Sequence, residues 1–284
     1  MVKRDDAYYP RPAGIDRGVT VEERPRTAPA PAGERQEGRH SVPIFEARPG
    51  GLADRFAEKL DSRHPALVFF GALLLGFLVL AVASIALAFI VVHVLVPNSG
   101  LGLEGTDESV NNTFAENRSG TLTTLAEIGS QVGGAPVLPI IVGIVALVAA
   151  FYRRWLIAAF AVFVLTVESA TYRVTSIAVP RDRPSVPRLE QLEPDASYPS
   201  GHTAASIAVY SGLVLLLTTR FTSSLKKALA WTAAILLTTF VALSRMYEGM
   251  HHPLDVAGGI LVGIGAILVL LFACRAAGAA AERR

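Results

Sequence analysis

Long runs of apolar residues alternate with short polar segments over most of this chain. Six such runs cover residues 66–96, 135–152, 155–172, 203–219, 228–243 and 256–273. Each is close to or above the roughly 17 residues that a helix needs to cross a bilayer. One such run also fits a buried helix of a soluble protein, but six in succession leave too little polar surface for a soluble fold. The pattern predicts an all-α bundle of six transmembrane helices at residues 65–276, with a short cytoplasmic tail at 277–284.

The first 64 residues have a different composition. They are rich in Pro, Arg, Glu and Gly, as in the segment RPRTAPAP at residues 24–31, and they lack apolar periodicity. Such a composition cannot bury enough apolar surface to offset the entropy of ordering the chain. We therefore expect residues 1–64 to form a disordered cytoplasmic tail. The apolar positions near Ile44 and Phe45 and in the segment 52–60 also fit a short amphipathic helix at the membrane surface.

The charges between the apolar runs predict the orientation of the bundle. Basic residues follow the second, fourth and sixth runs, which the positive-inside rule assigns to the cytoplasm: Arg153, Arg154, Arg220, Lys226, Lys227, Arg275, Arg283 and Arg284. The segment after the first run is acidic, as expected on the outer side. We expect a plasma (inner) membrane protein with both termini in the cytoplasm and with segments 173–202 and 244–255 outside. Segment 173–202 contains four arginines, which by the same rule would favour the cytoplasm. We attribute these arginines to a functional site instead.

Three polar patches stand at the ends of the apolar runs. They are Arg183-Pro184, then Pro199-Ser200-Gly201-His202, then Ser244-Arg245 followed by His251 and Asp255. Two arginines offer planar forks of donors to phosphate oxygens, and a Ser-Gly step before a helix adds backbone N–H groups. Two histidines remain for the chemistry. The patches predict a phosphate-handling site, although such arginines also serve as membrane-edge anchors and such serines as helix caps.

These patches resemble the three signature motifs of the type 2 phosphatidic acid phosphatase superfamily, a group of mostly membrane-bound lipid phosphatases related to vanadium haloperoxidases. The resemblance covers about residues 120–273. It implies that His251 attacks phosphorus and becomes a phosphohistidine, that Asp255 orients His251, and that His202 protonates the leaving oxygen. It also implies that phosphate is bound by Arg183, Ser200, Gly201 and Arg245. His252 misses the motif spacing by one position, so we expect it only to line the site.

The first motif departs from the family pattern at one position. The family usually has a lysine seven residues before the arginine of its Arg-Pro pair, and Ser176 stands there in this chain. The phosphate-binding site has therefore lost one cation or recruited another, and Arg181 and Arg173 are the candidate substitutes. Glu168 is also unusual, because ionisable groups within a span tend to face a cavity or a partner. It is placed either to pair with Arg173 or to reach interfacial water.

The resemblance implies a phosphohydrolase that removes the terminal phosphate from a phosphatidic acid-like or polyprenyl diphosphate lipid. We expect no cofactor and no metal, because a divalent ion at the histidines would be repelled by the nearby arginines. The expected partners are the lipid phosphate and the bilayer; no nucleic-acid motif is present. Two alternatives remain at this stage: a non-catalytic lipid-phosphate binding or carrier protein, and a relative of the vanadate-dependent haloperoxidases.

Four further residues have expected structural or surface roles. Gly259 and Gly263 form a small-residue face suited to close helix packing. Cys274, the only cysteine, is expected to serve as a small apolar residue. Asn111 and Asn117 begin glycosylation sequons in a segment that we expect to form an outer loop.

Overall fold

A computed structural model describes residues 42–60, 63–98, 102–191 and 195–284. The predicted disorder of residues 1–41 lies outside the described residues. After a 3-10 turn at Pro43–Phe45, the helices are α1 (Leu52–Lys59), α2 (Pro65–Ile90), α3 (Val96–Asn98), α4 (Leu103–Glu116), α5 (Gly120–Gly133), α6 (Val137–Phe151), α7 (Trp155–Ala178), α8 (Gly201–Ser206), α9 (Gly212–Thr218), α10 (Ser224–Tyr247) and α11 (Pro253–Glu282). Two π-helical turns, Val91–Leu95 and Ile207–Ser211, join α2 to α3 and α8 to α9.

Within the described ranges, six helical stretches are long and apolar enough to cross a membrane, which confirms the predicted all-α bundle. They are Pro65–Leu95, Gly120–Phe151, Trp155–Ala178, Gly201–Thr218, Ser224–Tyr247 and Pro253–Glu282. The bounds that differ most from the sequence prediction are the start of the second stretch and the end of the last. The second stretch begins at Gly120 because α5 precedes α6 with only a short break. The last continues to Glu282 because its end is rich in alanine, a strong helix former.

Part of the segment predicted as a disordered tail is folded. Phe45 and the α1 residues Ala53 and Ala57 are buried in the same apolar cluster as the end of α11. Arg275 Nε donates to the Ile44 carbonyl at 2.9 Å. Residues 42–60 therefore pack against α11. The tail boundary predicted at residue 64 is wrong for this segment. Helix α1 instead matches the alternative of a short helix at 52–60.

Helix α11 lies at the centre of the bundle and packs against α2, α7 and α8. Its contact with α8 depends on glycine. A Cβ atom on Gly259 would lie 2.5 Å from the Ser200 carbonyl oxygen, and one on Gly263 would lie 2.5 Å from the Ala204 carbonyl oxygen. The predicted close-packing face is confirmed, and it holds the Pro-Ser-Gly-His motif directly against the helix that carries Asp255.

The three motifs meet at one end of the bundle. Residues 179–200 connect α7 to α8, and residues 248–252 connect α10 to α11. Helix α4 packs beside both α10 and α11 at this end. The predicted outer loop thus contains a helix that helps to build the site.

Candidate active site

A cavity of about 340 Å³ opens between the helices at the motif end. Its wall combines cationic, titratable and apolar side chains. It is lined by Gly133, Gly134, Ala135, Leu138, Pro139, Leu165, Glu168, Ser169, Tyr172, Arg173, Arg183, Gly201, His202, Ala205 and His251. The two histidines and the first-motif arginine predicted from sequence therefore face one space.

His251 is buried and held by the backbone. Its Nδ1 lies 2.7 Å from the Ser197 carbonyl oxygen. Because a carbonyl only accepts hydrogen bonds, Nδ1 carries the proton and Nε2 keeps its lone pair. Burial lowers the pKa of His251 to about 3, although the negative charge of Asp255 opposes the shift. The ring is therefore neutral near pH 7, which is the state in which Nε2 is a nucleophile.

Asp255 does not hold the His251 ring as the resemblance implied. Its carboxylate lies 3.9 Å from His251 Nδ1, beyond hydrogen-bond distance. Instead it accepts from Arg181 Nη1 at 2.6 Å and from the backbone N–H of His252 at 2.7 Å. In this geometry the carbonyl of Ser197 orients His251, while Asp255 supplies a nearby negative charge and fixes the start of α11.

Arg181 is committed to structural ion pairs. It is buried, and its second nitrogen donates to Asp107 at 2.8 Å. It does not appear among the residues that line the cavity. Of the two candidate substitutes for the missing lysine, only Arg173 reaches the cavity wall. Ser176, at the lysine position, is buried and donates to the Tyr172 carbonyl.

Glu168 faces the cavity, and no described residue forms an ion pair with it. Its Oε2 accepts from Ser169 at 3.0 Å, whereas Oε1 has no hydrogen-bond partner in the described part of the chain. Among the described residues, no ion pair joins Glu168 to Arg173, so the predicted pairing is absent. The side chain is only 1% exposed, which also argues against the alternative of a carboxylate in bulk interfacial water.

The two motif arginines differ in their surroundings. Arg183 lines the cavity and donates to the Met250 carbonyl at 2.7 Å and to Asp195 at 3.2 Å. Arg245 is fully buried, and its Nη1 donates to Ser130, to Glu190 at 2.6 Å and to Glu248 at 2.5 Å. Among the described residues, its Nε and Nη2 have no partner. Arg245 is not among the residues that line the cavity, but unlike Arg181 it has two donors left for further oxygen atoms.

The Pro-Ser-Gly-His motif forms the start of α8. Ser200 precedes the helix, and its hydroxyl lies 3.0 Å from that of Thr203. The Ser200 backbone N–H donates to the Asp255 carbonyl at 2.9 Å, which ties this motif to α11. Gly201 packs on the Tyr172 ring, where a Cβ would lie 3.2 Å from the nearest carbon. His202 then projects from the first turn into the cavity.

Helix α4 contributes residues that the sequence analysis did not assign to the site. Asp107 pairs with Arg181, and Glu108 lies 3.3 Å from His252 Nε2. Asn111 is completely buried, and its amide donates to the Met246 and His251 carbonyls. This burial makes the first sequon inaccessible in the folded chain. The spacing of Asp107 and Asn111, four residues apart on one helical face, was the signal available in the sequence.

Comparisons with known proteins agree with this geometry. The model of the PAP2 superfamily matches residues 156–277. Human sphingosine-1-phosphate phosphatase 2 is 38% identical over 93 residues, covering 31% of this chain and 22% of the relative. The undecaprenyl-diphosphatase of Sulfolobus acidocaldarius is 40% identical over 75 residues, covering 26% of this chain and 32% of the relative. The chain thus spans less than a third of the length of either relative.

A solved structure has the same fold. The transmembrane PAP2 type phosphatidylglycerolphosphate phosphatase from Bacillus subtilis matches with a TM-score of 0.56 and 24% identity, covering 70% of this chain and 92% of that one. The match supports the helical arrangement. The family-model match includes all three motifs, so residues 156–277 of this multi-pass membrane protein are similar to the PAP2 superfamily.

Proposed function

We propose that this chain is a lipid phosphate phosphohydrolase that works through a phosphohistidine on His251. The observation that carries the proposal is the neutral, buried His251, whose Nδ1 is held by the Ser197 carbonyl and which shares one cavity with His202 and Arg183. A fixed nucleophile, a second titratable group and a cation together meet the needs of phosphoryl transfer.

The residues divide the reaction into two steps. In the first, His251 Nε2 attacks phosphorus and the bond from phosphorus to the leaving oxygen breaks, while protonated His202 gives its proton to that oxygen. In the second, water attacks the phosphohistidine, His202 accepts a proton from the water, and the N–P bond breaks to release phosphate. Arg183 and the unused donors of Arg245 stabilise the charge on the phosphate oxygens. We assign Ser200 and the Gly201 backbone to the same phosphate.

The proposed substrate is a lipid with a terminal phosphate. The cavity lies among candidate membrane spans, and Leu138, Leu165 and Ala205 give it an apolar portion. The matched relatives are named for sphingosine-1-phosphate and undecaprenyl diphosphate, and the solved neighbour for phosphatidylglycerolphosphate. These names support a phosphatidic acid-like or polyprenyl diphosphate lipid as the substrate class.

We also propose that the catalytic domain spans residues 65–276 in the plasma (inner) membrane, with both termini in the cytoplasm and the active site on the extracytoplasmic face. The basic residues at the opposite end of the bundle, including Arg153, Arg154 and Arg220, support this orientation.

Phosphate release by purified protein tests the proposal. With a panel of phospholipid and prenyl phosphates, the wild-type chain should release phosphate from at least one lipid, and His251→Ala should reduce that release by about a thousandfold or more. Orthovanadate should inhibit by occupying the phosphate position, and a chelator should leave activity intact. His252→Ala is the matched control and should keep most of the activity. Full activity of His251→Ala would contradict the nucleophile assignment.

A carrier that binds lipid phosphate without hydrolysis is the second candidate, favoured by the serine at position 176 in place of the expected cation. Binding of the lipid panel without phosphate release would support this alternative and reject the hydrolase.

A further inference from the structure

Glu168 occupies a position in the cavity between its charged and its apolar parts. Along α7, the lining residues follow the order Leu165, Glu168, Ser169, Tyr172 and Arg173. Glu168 lies ten residues before the end of this helix at Ala178, which corresponds to about 15 Å along the helix axis. The carboxyl therefore lies deeper than the cationic entrance and beside the apolar part of the wall.

The carboxyl is incompletely satisfied. Ser169 donates to Oε2, but Oε1 is buried and has no partner among the described residues. Leaving a buried acceptor without a partner is unfavourable, and a bound ligand that donates to it would remove this cost. Arg173 does not pair with Glu168 among the described residues. Oε1 therefore still lacks a hydrogen-bond donor from the described cavity wall.

A bound lipid phosphate would place its first carbons beside this carboxyl. The phosphate must reach His251 and Arg183, while its hydrocarbon must run toward Leu165, Leu138 and Ala205. The part of the lipid that joins its phosphate to its hydrocarbon then passes Glu168, which lies between these two groups of lining residues. A hydroxyl or an ammonium group there would donate to Oε1, whereas a plain hydrocarbon would leave the carboxyl unsatisfied.

We propose that Glu168 is a specificity-determining residue that selects lipid phosphates with a hydrogen-bond donor, a hydroxyl or an amine, on the carbon next to the phosphate ester carbon. This inference rests on the proposed function of the same cavity. It places polyprenyl phosphates, which carry only hydrocarbon at that position, and diacyl phosphatidic acids, which carry an ester oxygen there, among the poorer substrates, and so narrows the proposed substrate class.

Three matched lipids test the inference: octadecyl phosphate, 2-hydroxyoctadecyl phosphate and 2-aminooctadecyl phosphate. For the wild-type chain, kcat/KM should be about tenfold or more higher for at least one donor-bearing lipid than for octadecyl phosphate. Glu168→Leu should reduce this ratio to near one without lowering kcat/KM for octadecyl phosphate. Glu168→Gln should keep much of the preference, because an amide oxygen still accepts a hydrogen bond from a hydroxyl or an amine.

Thr238→Val is the matched control, since the Thr238 hydroxyl is also buried and unpartnered but lies outside the cavity wall. It should leave all ratios unchanged. A wild-type ratio near one for both donor-bearing lipids, or an equal fall for all three lipids in both Glu168 variants, would overturn the inference.

Equilibrium binding of the same three lipids separates this inference from the proposed hydrolysis. If the wild-type chain releases no phosphate but binds donor-bearing lipids more tightly, and Glu168→Leu removes that difference, the hydrolase proposal fails and the selectivity stands. If phosphate is released but neither binding nor kcat/KM depends on the donor, the hydrolase stands and the role of Glu168 is rejected.

Discussion

At the scale of single residues, Arg245 donates to two acidic side chains that would compete with a bound phosphate. Glu190 and Glu248 both accept from its Nη1. Burial raises the pKa of Glu248 to about 7, although the charge of Arg245 opposes the shift. Glu248 is therefore largely protonated and neutral below this pH and ionised above it. An ionised Glu248 binds Arg245 more strongly and makes it less available to phosphate.

The expected consequence is a pH-dependent KM. In the proposed enzyme, KM for a lipid phosphate should rise by about threefold to tenfold between pH 6 and pH 8 as Glu248 loses its proton. Glu248→Gln should flatten this rise, because the amide stays neutral at both values. Steady-state kinetics of the two proteins on one lipid make the comparison, since the titration of the substrate itself is common to both. An identical pH dependence of KM would contradict this role.

Arg181 has a role that depends on partners far from it in the sequence. It donates to Asp107 of α4 and to Asp255 of α11, and all three side chains are buried. Removing one member of a buried ion-pair cluster leaves uncompensated charge, which typically costs about 3 to 5 kcal/mol. The cluster joins α4 to α11, the helix that carries the last residue of the third motif.

Arg181→Met should therefore lower the thermal unfolding temperature of the detergent-solubilised protein markedly. Arg188→Met is the control, because Arg188 pairs with Asp195, which is 58% exposed, and such pairs contribute about 1 kcal/mol or less. If Arg181→Met unfolds at the wild-type temperature and instead mainly raises KM, Arg181 would be the substitute phosphate cation suggested by the sequence.

At the scale of helices, the packing of α11 on α8 sets the position of the second motif. The Ser200 carbonyl lies so near Gly259 that a Cβ there would be only 2.5 Å away. Backbone atoms cannot yield as a flexible side chain can, so the motif itself would have to move. Displacing a catalytic group by about 1 Å can cost about a hundredfold in rate.

Gly259→Ala should accordingly reduce phosphate release by about tenfold or more and lower the unfolding temperature. Gly143→Ala is the matched control, because a Cβ at Gly143 of α6 meets no atom within 4 Å. Alanine has the higher helix propensity, so this control should be neutral or slightly stabilising. Phosphate release and unfolding temperature measured on both variants decide between a packing effect and a general effect of alanine.

The helices show what the sequence could and could not predict. The apolar runs predicted the six spans, because the length and hydropathy of a span are local properties. They did not predict α4, whose role depends on Asp107 and Asn111 meeting residues from 74 to 140 positions away. Motif spacing predicted that His202, His251 and Arg183 meet in one cavity. It did not predict that a backbone carbonyl, rather than Asp255, holds His251. Every residue has a backbone carbonyl, so the residue types do not show which one will accept a hydrogen bond.

At the scale of the whole molecule, the six spans alternate in direction, so the two ends of the bundle carry different residues. The motif end includes the segment 179–200, and the opposite end includes the turns at Arg153 and Arg220. The basic turns favour a cytoplasmic location for the opposite end. The arginines of the motif end oppose this when counted alone, but Arg181 is buried in ion pairs and Arg183 lines the cavity, where we propose that it binds phosphate.

Cysteine labelling on intact cells tests this orientation. The background is Cys274→Ala, since the only cysteine is buried beside Leu156 and alanine fits a small apolar position. Gln191 is the probe site at the motif end, because it is exposed whereas the nearby Ser197 is fully buried. Thr222, exposed in the turn before α10, is the probe site at the opposite end.

In a variant that still releases phosphate, Gln191→Cys should react with a membrane-impermeant thiol reagent on intact cells. Thr222→Cys should react only after the cells are opened. Phosphate chemistry explains the arginines of the motif end, because a site for an anion is cationic on either side of a membrane. The reverse labelling pattern would place the catalytic face in the cytoplasm, and the accessible substrate would then be lipid of the inner leaflet.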